Sequence, residues 1–515
     1  MATSPTRTFL PTRRELFLVL SLLVILLFVS QSEYISSNSP YNLSRSAPQI
    51  PLSLDYPKQY GLENGSYPDH RMTWKEENSL PETKLVQHAP GWNVFENIYA
   101  YNGTLFVVTS TPSKFPERKL LFSSGYGIFN GDEEYRKRAP TDKDMQILTP
   151  ADAQKIFGSK TRSATVLDGT TFFSNDPIQF ITHYYHFCAE LLFGMWRTYS
   201  SLDPFITPDG DTTLPPPRRM IFTHVPSENW RDYAAMNQWV IRGAFPGMGM
   251  EFERDWADRA AMLVPFLFPR MVVEDRAAAA EGANYKSTWR PASNAFALKG
   301  SQNWWAPLRK SVLQFSGLSS DWIDPPPAEV MDLTASDANG KGKEMVLGDK
   351  MVITYISRQG WGRRMLRQAD HEKLVEELYK LRERYGYEVN VVNPEKLSRA
   401  EQLILAGRTT IMMGVHGNGL TSLVWMRPKP QSTVLEFFIP TGLAFDYEYT
   451  TRALGMKHYG VWRNKTFTRP NVPPLPNFPE GFHGNDIPLD GTVVARLVQK
   501  RIMLEDDDQD PSLNP

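Results

Sequence analysis

Residues 411–426 read Ile-Met-Met-Gly-Val-His-Gly-Asn-Gly-Leu-Thr-Ser-Leu-Val-Trp-Met, and this stretch decides the fold. Ile411 to Val415 is an apolar run of strand length. His416-Gly417-Asn418-Gly419 is a turn whose glycines let backbone approach a ligand closely, and Leu420 to Met426 can open a helix. A helix start leaves amide hydrogens unpaired and carries the positive end of the peptide dipole, so this joint suits an anion such as a diphosphate. His416 stands where it could add a further hydrogen bond. A glycine-rich turn between strand and helix also serves plain tight packing, so its surroundings must decide between the two.

Working outward, the pattern is regular. Lys350 to Ser357 reads as a strand, Asp370 to Tyr385 as an amphipathic helix, Glu388 to Val392 as a strand and Ser398 to Ala406 as a helix. Thr410 to Val415, the helix after it, and a strand at Thr433 to Phe438 continue the alternation. Strands and helices alternating at this spacing imply right-handed β–α–β units and a parallel, doubly wound sheet. Ligands of such sheets lie beyond the strand C-termini, where Ser357, His416 and Glu436 emerge. Val493 to Met503 reads as a last helix and Glu505 to Pro515 as an acidic tail.

Before this region the signals are mixed: strand-like runs at Asn97–Tyr101, Gly103–Thr109 and Lys119–Phe122, a helix from about Ile178 to Ser200, and a strand at Arg219–His224. Residues 324–349 carry Pro325-Pro326-Pro327 and Asn339-Gly-Lys-Gly-Lys and form the best candidate boundary. No internal repeat is evident.

A chain of 515 residues, 41% hydrophobic, can bury a large core and should divide into more than one domain. Lys+Arg 56 against Asp+Glu 57 leaves a net charge of -1, which offers no basic field for nucleic acid. Arg7, Arg13 and Arg14 precede the apolar run Leu16–Val29, which reads as an uncleaved signal anchor or, alternatively, a cleaved signal peptide. The anchor is favoured because no clear small-x-small site follows, and it makes the membrane a partner with the bulk of the chain lumenal. Sequons at Asn42, Asn64, Asn102 and Asn464 agree with that address. Cys188 is the sole cysteine, so no intrachain disulfide can form; it lies in an apolar helical stretch and reads as a small buried hydrophobe.

Ser357-Arg358-Gln-Gly-Trp-Gly-Arg363-Arg364 follows a predicted strand. Arginine holds a diphosphate bidentately and stays charged, so this loop is a candidate anion clamp, although a solvated basic turn would look the same. Glu436, ending the Thr433–Phe438 strand, could accept hydrogen bonds from ribose hydroxyls or cap the loop that follows. His183, His186 and Glu190 fall on one face of a helix and could supply a general base; the bland alternative is a hydrogen-bonded interdomain helix. A metal reading of that trio is weaker, because no HExxH and no further ligand is present. There is no nucleophile elbow, P-loop or dinucleotide fingerprint, and no strand-end D-x-D pair that would demand a metal-bridged diphosphate.

Taken together, Ile356-Ser357-Arg358 with Arg363-Arg364, Gly414-Val-His-Gly-Asn-Gly-Leu-Thr421, Val434-Leu-Glu436 and the helix around His186 resemble glycosyltransferase family 61. That family includes plant β-1,2-xylosyltransferases and arabinosyltransferases, the animal EGF-domain-specific O-linked N-acetylglucosamine transferase and the O-mannose β-1,4-N-acetylglucosaminyltransferase. The resemblance implies an α/β, GT-B-like enzyme with two Rossmann-like domains facing a cleft. It divides as tail and anchor (1–32), stem (33–90), acceptor-side domain (91–325), nucleotide-sugar domain (326–490) and final helix with acidic tail (491–515). It implies an inverting transfer of xylose or N-acetylglucosamine from a UDP-sugar to a glycan or glycoprotein, at the Golgi or ER membrane. Ser357, Arg358, Arg363, Arg364, Gly414, His416, Gly417, Asn418, Gly419, Leu420, Thr421 and Glu436 would contact the donor, and His186, Glu190 and His183 would serve catalysis, with His186 or Glu190 as base. No cofactor is required, since the UDP-sugar is a substrate; a divalent cation is allowed. The family often has alanine at Asn418 and aspartate at Glu190. The rival reading is a lumenal glycan-binding protein with an inactive nucleotide-sugar fold.

Overall fold

The structure is a computed structural model that describes residues 80–158, 164–323 and 350–505. These lie in one compact unit, Thr73–Pro515. The expected anchor and most of the stem, with Asn42 and Asn64, lie outside the described residues, as do the proline-rich boundary at 324–349 and the tail beyond Glu505. Among the described residues no helix is long and apolar enough to cross a membrane.

Two sheets organise the molecule. The first holds β1 (Lys84–Ala89), β2 (Trp92–Tyr101), β3 (Thr104–Val108), β4 (Met145–Leu148), β5 (Thr165–Val166), β6 (Thr170–Ser174), β7 (Arg219–Phe222), β8 (Gly249–Glu251) and β9 (Phe266–Glu274). Its order is β4-β3-β2-β9-β6-β7-β8, with β1 on β2 and β5 on β9. Strands β9, β6, β7 and β8 are parallel, whereas β2 runs antiparallel to β1, β3 and β9. One half of this sheet is thus parallel, and the other half is mainly an antiparallel meander that a Rossmann-like first domain would not have.

Strand β9 was not anticipated, because Pro269 reads as a strand breaker. It is tolerated because the β2–β9 register skips it: Glu96 pairs Arg270 and Ile98 pairs Phe268. Asn97, the residue between, takes a left-handed φ of 56° there. The expected strand at Lys119–Phe122 is instead a helical turn, Arg118–Leu121. Four residues are too few for periodicity to separate strand from helix.

The second sheet follows the sequence pattern closely. Its strands are β10 (Val352–Ile356), β11 (Glu388–Val392), β12 (Ile411–Val415), β13 (Thr433–Phe438), β14 (Lys457–Trp462) and β15 (Lys465–Phe467), in the order β11-β10-β12-β13-β14-β15. All pairings are parallel except β14 with β15. From β10 the chain first adds β11 on one side, then crosses to β12 on the other. The strand order thus reverses between β10 and β12, the place where open α/β sheets bind ligands.

Five helices matter to the site or to the framing of this sheet: α1 (Phe193–Ser200), α2 (Gln368–Tyr385), α3 (Arg399–Arg408), α4 (Asp446–Ala453) and α5 (Gly491–Met503). Their ends are written locally. Ser398 and Glu401 form a capping box at the start of α3, Gly386 closes α2 in a left-handed conformation, and Asp490 caps α5.

The expected helix at Ile178–Ser200 is present but divided. A short helix at Ile178–Ile181 gives way to a turn, then to a π-helix over His186–Leu192 that runs into α1. This segment packs both halves together. A single apolar cluster contains Phe187, Leu191 and Phe193 of this segment, Trp304 and Trp305, and Met412, Leu420 and Trp425 of the second half. Trp305 donates from Nε1 to the Val424 carbonyl at 2.7 Å, and Trp425 donates from Nε1 to the Tyr184 hydroxyl at 2.9 Å. Cys188 is buried in that cluster, as expected.

Candidate functional site

The C-terminal ends of β10 and β12 open on a cleft of about 380 Å³. Ser357 and Arg358 line it from the end of β10, Pro394 and Glu395 from the end of β11, and Asn418 and Gly419 from the turn after β12. Tyr184, Tyr233 and Met236 close it from the first half. Tyr233 is 89% exposed and Trp361, also on the wall, is 39% exposed; their rings meet edge to face at 6.2 Å.

The turn after β12 is shaped by close approach. A Cβ on Gly417, whose φ is 155°, would come within 2.8 Å of Arg358 Nη1 and 3.5 Å of Arg364 Nη1, so both guanidiniums converge over a bare backbone. A Cβ on Gly419 would meet Ile356 Cγ2 at 2.8 Å. The expected α-helix after the turn is a 3₁₀-helix, Asn418–Trp425, with Gly417 at its N-cap. Its first amides, on Asn418 and Gly419, have no acceptor among the described residues. Asn418 does not need the left-handed backbone allowed for it; Gly417 takes the positive φ instead. The Asn418 side chain instead ties the turn to the first half: its Oδ1 accepts from the Tyr185 amide at 3.2 Å and from Thr421 Oγ1 at 3.2 Å.

The loop carrying the arginines is pinned by Gln359, whose side chain bonds both the amide and the carbonyl of Leu366. Gly360, Gly362 and Arg364 all have positive φ, and for Arg364, at 56°, this is a strained choice that the fold enforces. Arg364 donates from Nε to His483 Nδ1 at 2.9 Å. Neither Arg358 nor Arg364 has a carboxylate ion-pair partner among the described residues, and Arg358 Nε is buried with no hydrogen-bond acceptor. Burial holds both guanidiniums below the usual arginine range; Arg364 and Arg363 lower Arg358 further, and Arg363 lowers Arg364. Arg363 is exposed beside them.

His416 packs among Phe438, Tyr447 and Phe482 with its side chain 12% exposed. Its Nδ1 lies 2.5 Å from Glu436 Oε1, Nε2 has no hydrogen-bond partner among the described residues, and the ring stands behind the residues that line the cleft. The ribose role expected of Glu436 is overturned here. The residue is fully buried, and its second oxygen lies 2.8 Å from His458 Nε2, so neither oxygen is free to reach a sugar. Gly414, Leu420 and Thr421 are buried behind the turn and support it rather than line the cleft.

From the other half, His183 and His186 lie ring to ring at 5.0 Å, and His186 Nδ1 lies 2.6 Å from Glu190 Oε2. The three residues are therefore brought together, His186 and Glu190 on a π-helix, a distortion often found at functional sites, and His183 in the bend before it. Glu190 is 2% exposed and also accepts from Arg276 Nη1 at 2.6 Å and Arg290 Nη1 at 3.1 Å. Burial alone would raise its carboxyl, but Arg276, His186 and Arg290 outweigh that and hold it well below the usual range. Such a carboxylate keeps its charge and orients its partners, whereas the His186 side chain, 28% exposed, is the more accessible of the two.

Sequence reasoning missed Arg276, Arg290 and Asp446. Arg290 Nη1 also donates to Asp446 Oδ1 at 2.6 Å, and Tyr185 donates from its hydroxyl to the Asp446 carbonyl at 2.9 Å. Asp446 opens α4, where an acidic residue reads as an ordinary helix start, so no local signal marked it. Among the described residues there is no group of three or more His, Cys, Asp or Glu poised to hold a metal ion.

None of the curated proteins compared with the chain matches it. The family model Glycosyltransferase 61 matches residues 184–435, a span that begins on the π-helix segment, takes in the arginine loop and the turn after β12, and ends one residue before Glu436. With the cleft, the arginines and the His186–Glu190 pair all held on elements of that span, the chain belongs to glycosyltransferase family 61.

Proposed function

We propose that this glycosyltransferase has GT-B architecture and moves a sugar, xylose or N-acetylglucosamine, with inversion from a UDP-sugar to a hydroxyl of a glycan or glycoprotein. The observation that carries the reading is the pair of arginines over Gly417, partly buried and without carboxylate partners among the described residues. An unpaired guanidinium in such a place costs stability unless an anion arrives, and a strand-end cleft beside unpaired amides is where a nucleoside diphosphate fits.

In this reading the acceptor oxygen attacks the anomeric carbon as its bond to the β-phosphate oxygen breaks. His186 takes the acceptor proton on Nε2 while Glu190 holds Nδ1. The negative charge left on the diphosphate falls to Arg358, Arg364, the Asn418 and Gly419 amides and His416, each well-placed donor being worth on the order of 100-fold in rate. Ser357 and the apolar wall at Ile356, Pro394 and Leu397 would receive the nucleoside. A secretory, lumenal setting is supported by Asn102 and Asn464, both exposed at hairpin turns.

The test is to incubate the full chain in detergent with a panel of UDP-sugars and candidate acceptors. Transfer from a UDP-sugar that is lost in Arg358→Ala supports the reading. Nucleotide binding without turnover would favour a glycan-binding role, and absence of any UDP binding would overturn the donor site.

A further inference from the structure

Glu436 and His458 form a buried chain behind His416 that ligand contact does not explain. The register shows how it is built. Gly414 of β12 and Gly460 of β14 stand directly opposite Glu436 of β13. Neither puts a side chain beside the Glu436 carboxyl on its own face; the Phe467 ring lies over Gly460 and the end of Leu420 over Gly414. Side chains two residues along a strand share a face, so His416 and His458 reach the carboxyl from opposite diagonals. The contacts are 2.5 Å from His416 Nδ1 to Oε1 and 2.8 Å from His458 Nε2 to Oε2.

We propose, building on the diphosphate reading above, that Glu436 and His458 are positioning residues that keep a proton in reserve for His416 and hand it over when the diphosphate binds. In the empty site the three groups are neutral, because a dry environment disfavours every charged form. Burial accordingly pushes the Glu436 carboxyl well above its usual range, His416 down to about 3 and His458 down to about 4.

One arrangement of hydrogens satisfies the geometry. His458 gives its Nε2–H to Oε2, Glu436 gives its hydrogen from Oε1 to His416 Nδ1, and His416 keeps Nε2–H. His458 Nδ1 is buried with no hydrogen-bond partner among the described residues. The reverse arrangement would put a hydrogen on that nitrogen and strand it, and an orphaned donor in a dry site is the costlier fault. When the diphosphate docks, the Oε1 hydrogen crosses to His416 Nδ1. The pair becomes imidazolium and carboxylate, the trio's total charge stays zero, and the carboxylate remains held by His458 Nε2–H. His416 Nε2–H, which has no acceptor among the described residues, then faces the anion as a charged donor.

Other charged groups surround the chain. Asp446 of α4, Arg364 from the loop after β10, Arg290 and His483 act on His416, and Tyr447 packs on its ring. Asp446, Glu448 and Arg364 act on Glu436, and Glu448 and Arg469 on His458. The opposing signs of Asp446 and the arginines keep either form of the pair accessible.

The experiment is calorimetric titration of UDP into the full chain at about pH 8, where the nucleotide is fully ionised, in two buffers of different ionisation enthalpy. In the wild type the two buffers should give the same heat, because the proton comes from Glu436 and not from solvent. Glu436→Gln should bind UDP roughly tenfold or more weakly and take up a buffer proton, as His416 must then recruit one. His458→Gln, which can still donate to the carboxyl, should stay within about threefold of wild type, whereas His458→Leu should follow Glu436→Gln. The His458 pair carries the test if Glu436→Gln does not fold. A buffer proton taken up by the wild type, or unchanged affinity without proton uptake in Glu436→Gln, overturns the proton reserve alone. Failure of the wild type to bind UDP overturns both it and the diphosphate site.

Discussion

Arg358 and Glu190 show opposite ways of placing a charge. Arg358 is partly buried with no carboxylate to answer it among the described residues, a cost that a bound anion would relieve. Arg358→Ala should therefore leave the melting temperature unchanged or slightly raised while abolishing the stabilisation that UDP gives the wild type. A large fall in the ligand-free melting temperature would make the arginine structural. Glu190 is answered by two arginines and a histidine. Glu190→Gln leaves both guanidiniums short of charge and should cost about 3–5 kcal/mol in denaturant unfolding. The pH sign follows from its depressed carboxyl: the stabilisation is complete above the unfolded value of about 4.3 and is lost as pH falls below it. Glu190→Gln should make stability less steep in pH on the acid side, measured by urea midpoints. Of these residues, Arg358 and Glu190 were readable from their places at a strand end and on a helix face. Arg276, Arg290 and Asp446 were not, because what joins them is tertiary contact between residues that look ordinary locally.

At the scale of elements, the turn after β12 is the point where sequence and structure agree most usefully. Gly417→Ala would place its Cβ 2.8 Å from Arg358 Nη1. The arginine must move, so donor KM should rise by roughly tenfold while the melting temperature falls by only a few degrees, the cost of a strained backbone being about 1–3 kcal/mol. An unchanged KM would mean that the guanidinium is not held over the turn in solution. The second sheet was readable because each strand is a short apolar run followed by a helix with its own cap. The first sheet was harder: β9 hides behind Pro269, and the run at Lys119–Phe122 is too short to declare its period. Glu436 shows the limit of reading strands singly. Read as a strand-end carboxylate it suggested a ligand contact, whereas it lies within β13 opposite Gly414 and Gly460, between two imidazoles.

Across the whole molecule, the two halves share one apolar cluster and are also tied by polar contacts. Asn418 accepts from the Tyr185 amide, and Arg290 joins Glu190 of the π-helix to Asp446 of α4. Such a joint predicts that Thr73–Pro515 unfolds as one cooperative unit, a single calorimetric transition; two well-separated transitions would show that the halves fold independently. The sequence suggested two domains facing a cleft, yet not how much core they share, because Trp305 and Trp425 lie 120 positions apart and meet only in three dimensions.

What the cleft is for can be decided by equilibrium titration of UDP and of uridine into wild type and Arg358→Ala. A diphosphate cradle predicts that UDP binds the wild type, that Arg358→Ala loses about 100-fold or more of that affinity, and that uridine binds both proteins alike. Equal UDP affinity in the two proteins would contradict it.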